Sequence, residues 1–142
     1  MIDKKRLEAF TDAIMAIAAT IMVLELKVPQ EITIEGLLSQ WSIFLSYLIS
    51  FLLIYIMWLN HYKSFKKVES VSVLLFFING LWILIMTLVP FITSFVGNQP
   101  NNTLSEVLYA CMLLLWEIID HIMDRQILKE NGDLQREERN TL

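Results

Sequence analysis

A chain of 142 residues has the length of a single domain, yet 56% of its residues are hydrophobic, only 18% are charged, and it holds four Trp and eight Phe. That is too apolar for a water-soluble domain and points to an integral membrane protein whose hydrophobic runs cross a hydrocarbon core of about 30 Å. A net charge of -4 without a basic stripe gives no reason to expect nucleic acid, and a lone cysteine, Cys111, excludes an internal disulfide.

The expected fold is all-α: a polytopic bundle of four transmembrane helices at about residues 10–26, 43–59, 71–96 and 104–123. Lys4, Lys5 and Arg6 lead into the first. Only Ala13 to Leu24 is free of charge there, about 18 Å at 1.5 Å per residue, a length that by itself suits a buried helix. No small-residue cleavage site follows, and Glu25-Leu-Lys27 comes directly after the run, so a cleavable signal is not expected. The second and third runs approach the ~20 apolar residues that a spanning helix needs. Asn79 lies mid-span in the third and should hydrogen-bond across helices, while Pro90 should kink that helix or end its regular part by removing an amide donor.

The fourth run is the least secure. It carries Glu106, Glu117 and Asp120, and each charge at a helix centre costs about 2.5–3.5 kcal/mol unless it sits near an interface or faces protein. Beyond it, Ile118, Ile119, Ile122, Met123, Ile127 and Leu128 recur at helical spacing until Gly132 breaks the pattern, an amphipathic continuation expected to lie on the membrane or on its own subunit, with an assembly contact as the alternative. The expected division is a membrane domain over residues 1–128 and a polar cytoplasmic tail over 129–142. Asn101-Asn102-Thr103 matches a glycosylation acceptor, a match read as accidental.

Loop charge sets the orientation, because Lys and Arg are retained on the cytoplasmic side. Ten of the eleven basic residues fall before the first run, between the second and third (Lys63, Lys66, Lys67), or after the fourth (Arg125, Lys129, Arg136, Arg139). An even number of spans with both termini cytoplasmic satisfies this pattern.

At about 100° per residue, Phe10, Ala13, Ile17, Thr20, Ile21 and Leu24 share one stripe of the first helix, while Asp12, Met15, Ala16, Ala19, Met22 and Val23 point the other way. Small Ala16 and Ala19 suit close approach of another helix, so that side is expected to face its own subunit. The stripe around Ile17 has two readings. It is a well-packed apolar surface with one hydroxyl bonded to its own backbone, or, in several copies around an axis, it makes stacked rings: Ile17 as a dry constriction and Thr20 as an ion ligand. Asp12 needs partners at the membrane edge. Thr11, Asn60, His61 and Arg6 are expected to gather with it, since the second helix brings Trp58-Leu-Asn60-His61 to the same depth.

Arg6, three residues, then Phe10-Thr11-Asp12 and an apolar helix resembles the signature of the non-P-loop potassium channels of endolysosomes and bacteria, with Thr11 where that family usually has Ser. Trp58 followed closely by His61, and Pro90-Phe91 near the end of the third run, also resemble its pattern. The resemblance covers residues 6 to about 96. It implies a potassium-permeable leak channel in the cell membrane (endosome or lysosome if eukaryotic), assembled as a homotetramer, with Ile17, Thr20, Ile21 and Leu24 lining the pore. Ile17, five residues after Asp12, would be the gate, and Thr20, three further on, would contact K⁺ transiently. Arg6, Phe10, Thr11, Asp12, Trp58, Asn60 and His61 would support the pore structurally. Single-repeat members usually have six spans, and this chain has room for four.

Other classes fit less well. Proton conduction is an alternative within the family. A small proton-coupled four-helix exporter needs a titratable carboxylate in the middle of the first helix, where this chain has none between Asp12 and Glu25. No enzyme, cofactor or metal site is expected. His61 and His121 sit in no metal-ligand spacing, and Asp120-His121-Ile-Met-Asp124 reads as a solvated or snorkelling cluster.

Overall fold

The computed structural model describes residues 2–140, with side chains through residue 132. Among them all regular elements are helical, apart from one antiparallel bridge between Ile2 and Val71. Helix α1, Lys4–Ile21, starts where the Asp3 carboxylate accepts from the Arg6 amide at 3.2 Å, a side-chain cap on an otherwise orphan donor. A 3-10 turn, Met22–Glu25, extends it. The charged first turn is therefore part of the helix, and the 22 residues Lys4–Glu25 reach about 33 Å at 1.5 Å each, so this segment is longer than its charge-free core implied.

Helix α2, Ile34–Leu38, is a single capped turn before α3, Trp41–Phe65. α3 runs six residues past the expected end at Leu59, because the polar residues there, His61 and Ser64, are buried against other helices instead of ending the span. The third run is broken into α4, Val73–Thr87, and α5, Val89–Asn98, with Pro90 in the first turn of α5, where its missing amide costs little. Helix α6, Thr103–Asn140, begins at Asn102, whose Oδ1 accepts from the amides of Leu104 and Ser105.

Three stretches among the described residues are long and apolar enough to cross a membrane: Lys4–Glu25, Trp41–Phe65 and Val73–Asn98. The molecule is a multi-pass membrane protein. The fourth expected run lies inside α6, whose acids keep it out of that set.

α6 does not stop at Gly132 but continues to Asn140. A helical Gly costs only about 1 kcal/mol relative to Ala, and the preceding turn is pinned: Asn131 Oδ1 accepts from the Glu69 amide at 2.9 Å, and the Ser72 hydroxyl donates to Glu130 at 2.5 Å. The amphipathic continuation thus lies on its own subunit, burying Ile119, Met123 and Ile127 and leaving Ile118, Ile122 and Leu128 outward. The side chains of the expected polar tail, from residue 133 on, lie outside the described residues. Asp120 is not solvated. It is buried and accepts from Trp82 Nε1 at 2.8 Å, Asp124 accepts from Ser64, and of the three titratable side chains in that cluster only His121 is exposed. The i, i+4 spacing of the two acids aims both at the subunit core instead of the membrane edge.

Small residues let α3 and α5 touch. The Ser42 hydroxyl donates to the Gly97 carbonyl at 2.8 Å and Thr93 donates to Ser50 at 2.7 Å, joining backbone and side chains where no hydrophobic force drives helices together. A Cβ at Gly97 would lie 2.6 Å from Ser46 Oγ and 3.2 Å from Ile43 Cα. Gly97→Val is therefore expected to destabilise the protein by about 1–3 kcal/mol through overpacking, read as a lower thermal unfolding midpoint in detergent. An unchanged midpoint would contradict this close contact.

Candidate functional site

The polar centre of the fold is a buried chain of three side chains from three helices. Thr11 of α1 donates to the Leu7 carbonyl at 2.9 Å and accepts from Asn79 Nδ2 of α4 at 3.0 Å. His61 of α3 donates from Nε2 to Asn79 Oδ1 at 2.8 Å. All three residues are buried, and the His61 ring is stacked 4.2 Å from Phe65 and 4.7 Å from Trp82, centroid to centroid. Apolar walls exclude water, so the three groups can satisfy one another only in this geometry, which fixes depth and rotation of α1 against α3 and α4.

Asp12 belongs to a second, more exposed arrangement. Its carboxylate accepts from Trp58 Nε1 at 2.9 Å, and Trp58 is stacked between Tyr55 and Tyr62, each 5.9 Å away, with Lys66 4.6 Å over the Tyr62 ring. Neighbouring positions on a helix diverge by about 100°, so Thr11 and Asp12 cannot serve one cluster. The residues expected together are thus divided between two sites. Asn60 is turned outward beside buried His61, and its side chain meets no partner among the described residues. Arg6 is exposed at the start of α1, its amide held by Asp3, and Phe10 is exposed with it around a surface hollow bounded by Phe76.

α1 buries Leu7, Thr11, Met15, Ala18 and Met22. That face is rotated by roughly 80° from the one expected from small residues. Met15 and Met22 lie on both, but Ala16, Val23 and Asp12 are exposed. Hydrogen bonding of Thr11 to Asn79 decides the rotation, because turning Thr11 away would leave the buried Asn79 amide N–H without its acceptor. Ala16 and Ala19 instead border a 220 Å³ groove with Phe51, Ile54 and Tyr55 of α3.

The other stripe of α1 is free of its own subunit. Ile17 is 56% exposed, Ile21 45% and Leu24 74%, and Thr20 is exposed between them. The Thr20 hydroxyl donates to its own backbone, at 3.0 Å to the Ala16 carbonyl and 2.8 Å to that of Ile17. Ile17 and Ile21 also edge a hollow of 390 Å³ beside Pro90 and Phe91 of α5.

Three polar contacts escaped sequence reasoning: Trp82 with Asp120, Ser64 with Asp124, and the Ser50 hydroxyl 2.9 Å from Tyr109. A buried acid within an apolar run was the available signal for the first. Serines in spans carry none, since each can satisfy itself on its own helix.

Residues 6–90 match the family described as endosomal/lysosomal potassium channel TMEM175. A potassium channel of Chamaesiphon minutus is 37% identical over 80% of this chain and 61% of its own length, and one of Streptomyces collinus is 38% identical over 69% and 50%. The chain thus spans between half and two thirds of these relatives. An endosomal/lysosomal proton channel TMEM175 of Danio rerio is 29% identical over 78% of the chain and 22% of its own length. The crystal structure of a lysosomal potassium-selective channel TMEM175 homolog from Chamaesiphon minutus superposes with a TM-score of 0.81 at 32% identity, covering 96% of this chain and 78% of that one.

Replacing Asn79 removes a bond to each of two buried partners. Asn79→Leu is expected to lower stability by about 1–3 kcal/mol, whereas Asn60→Ala should stay within about 0.5 kcal/mol. Thermal unfolding of both variants in one detergent tests this, and equal losses would mean that the division between buried and outward-facing polar residues is wrong.

Proposed function

This chain belongs to the TMEM175 family, and we propose that it is a subunit of a homotetrameric, potassium-permeable leak channel whose pore is lined by α1. The observation that carries this reading is the apolar stripe of Ile17, Ile21 and Leu24, exposed on a helix whose opposite side is locked into the subunit by Thr11. One helix cannot surround an axis, so several copies are required. Rotational symmetry then turns each exposed residue into a ring.

In that arrangement the Ile17 ring is a constriction that water abandons, closing the pore to hydrated ions. Thr20 is suited to contact K⁺. Its proton is already donated to backbone carbonyls, so its oxygen lone pairs are left to replace part of an ion's hydration shell. Thr11, Asp12, Trp58 and His61 act as structural support that braces α1 against α3 and α4, with Arg6 at the start of α1; Phe10, expected among them, lies on the exposed stripe with Ile17, and Asn60 meets no partner among the described residues. No cofactor enters the mechanism; bilayer lipid and K⁺ are the partners.

The reading includes four spans with both termini cytoplasmic, residues 1–128 as the channel domain and 129–142 as a cytoplasmic tail, in the cell membrane. Loop charge supports it, with ten of eleven basic residues on the side of the termini. Of the acids of the fourth span, Glu106 and Glu117 are exposed on the subunit surface, and Asp120 faces protein. A second reading, proton conduction, is favoured by the name of the Danio rerio relative.

Flux through liposomes distinguishes these. The protein should release trapped K⁺, and Ile17→Asn should accelerate the release by wetting the constriction; no acceleration removes Ile17 from the gate. A pH-sensitive dye trapped in the same vesicles would respond first if protons are the carried ion. Thr20→Val should lower the K⁺ over Na⁺ permeability ratio while conduction persists, and an unaltered ratio discards the threonine ring.

A further inference from the structure

The connection between α1 and α3 exposes an apolar surface that ion conduction does not use. Ile34, Leu37 and Leu38 fall at i, i+3 and i+4 on one side of α2, and Trp41 opens α3 after the two-residue turn Ser39–Gln40. None of the α2 residues is buried, and Ile32 just before it is 89% exposed. Glu35 and Ser39 occupy the opposite side.

This segment is built to hold that face. The Thr33 hydroxyl accepts from the Gly36 amide at 3.0 Å, Ser39 donates to the Gly36 carbonyl at 2.7 Å, and a Cβ at Gly36 would fall 2.2 Å from the Glu31 carbonyl oxygen. Only glycine permits so tight a fold of the chain over residues 31–36. The segment is tied to the rim of the bundle where Lys27 Nζ lies 3.3 Å from Asn98 Oδ1, at the end of the spans away from the N terminus. One turn after α2, Trp41 opens the spanning α3, and Phe44, Leu45 and Leu48 follow it at helical spacing, exposed on the subunit surface.

We propose that α2 with Trp41 is an interfacial anchor seated in the membrane leaflet opposite the N terminus, its occupant being the lipid at the boundary of headgroups and acyl chains. Continuity with the span places this face at the depth where that boundary meets α3. Trp41, with an apolar ring and a polar N–H, belongs at such a boundary, and Glu35 on the far side reaches water. The anchor fixes the depth at which α3 enters the bilayer and, through Lys27, the height of the end of α1.

Single cysteines on a Cys111→Ser background test this, with an environment-sensitive fluorophore at each and the full chain reconstituted in phosphatidylcholine vesicles. Ile34→Cys and Leu38→Cys labels should emit to the blue and be quenched several-fold more by lipids bearing a nitroxide near the top of the acyl chain than labels at Glu35→Cys and Ser39→Cys. Water-like emission at all four sites overturns the proposal. So does blue emission at residues 34 and 38 that lipid nitroxide fails to quench, because protein, such as a second copy, would then cover the face. K⁺ flux is not part of the readout, so the anchor and the channel reading stand or fall separately.

Discussion

The hydrogen-bonded chain Thr11–Asn79–His61 is the constraint from which the rest of the subunit follows. In a membrane, apolar side chains gain nothing by leaving lipid for protein, so helix packing depends on shape and on polar groups that have no alternative to one another. Asn79 has two opposite functions on one amide, and it uses both: the nitrogen donates to Thr11 of α1, and the oxygen accepts from His61 of α3. Helix α4 therefore holds its two neighbours at one depth. The aromatic rings of Phe65 and Trp82 keep water from His61, which makes the alternative to these bonds an unpaired polar group.

Two consequences propagate outward along α1. Locking Thr11 inward turns Asp12 by one residue's rotation toward Trp58, where the carboxylate finds an indole N–H at the surface rather than a buried partner. The same rotation leaves Ile17, Thr20, Ile21 and Leu24 uncovered by the subunit. The exposure of this stripe thus follows from where Thr11 meets Asn79, farther back along the same stiff helix.

The far side of the molecule is held differently. α6 packs Trp116 against Trp82, at 5.3 Å between ring centroids, and engages the connection between α3 and α4 through Asn131 and Glu130. Asp120 links the two systems, because the Trp82 ring that walls His61 also donates its N–H to that acid. α3 and α5 add a contact of small residues around Gly97. The polar chain, the α6 clamp and the serine-lined contact occupy different depths, so together they resist tilting as well as sliding.

From the order of residues alone one can read what depends on local composition: the membrane, the helical class, the break at Pro90 and the membership suggested by Arg6, Phe10, Thr11 and Asp12. Periodicity also separated the Ile17 stripe from the rest of α1, because 3.6 residues per turn is a property of the backbone. What tertiary structure decided is which neighbour each face meets. The buried side of α1 is set by Asn79, sixty-eight residues beyond Thr11; Asn60 and His61, adjacent in the chain, divide between surface and core; Asp120 enters the core because an indole from α4 waits there; and α6 passes Gly132 because the preceding turn is tied to the loop before α4. Hydrogen-bond partners far apart in the chain leave no local trace, since each polar side chain alone is equally consistent with water, its own backbone or a distant helix.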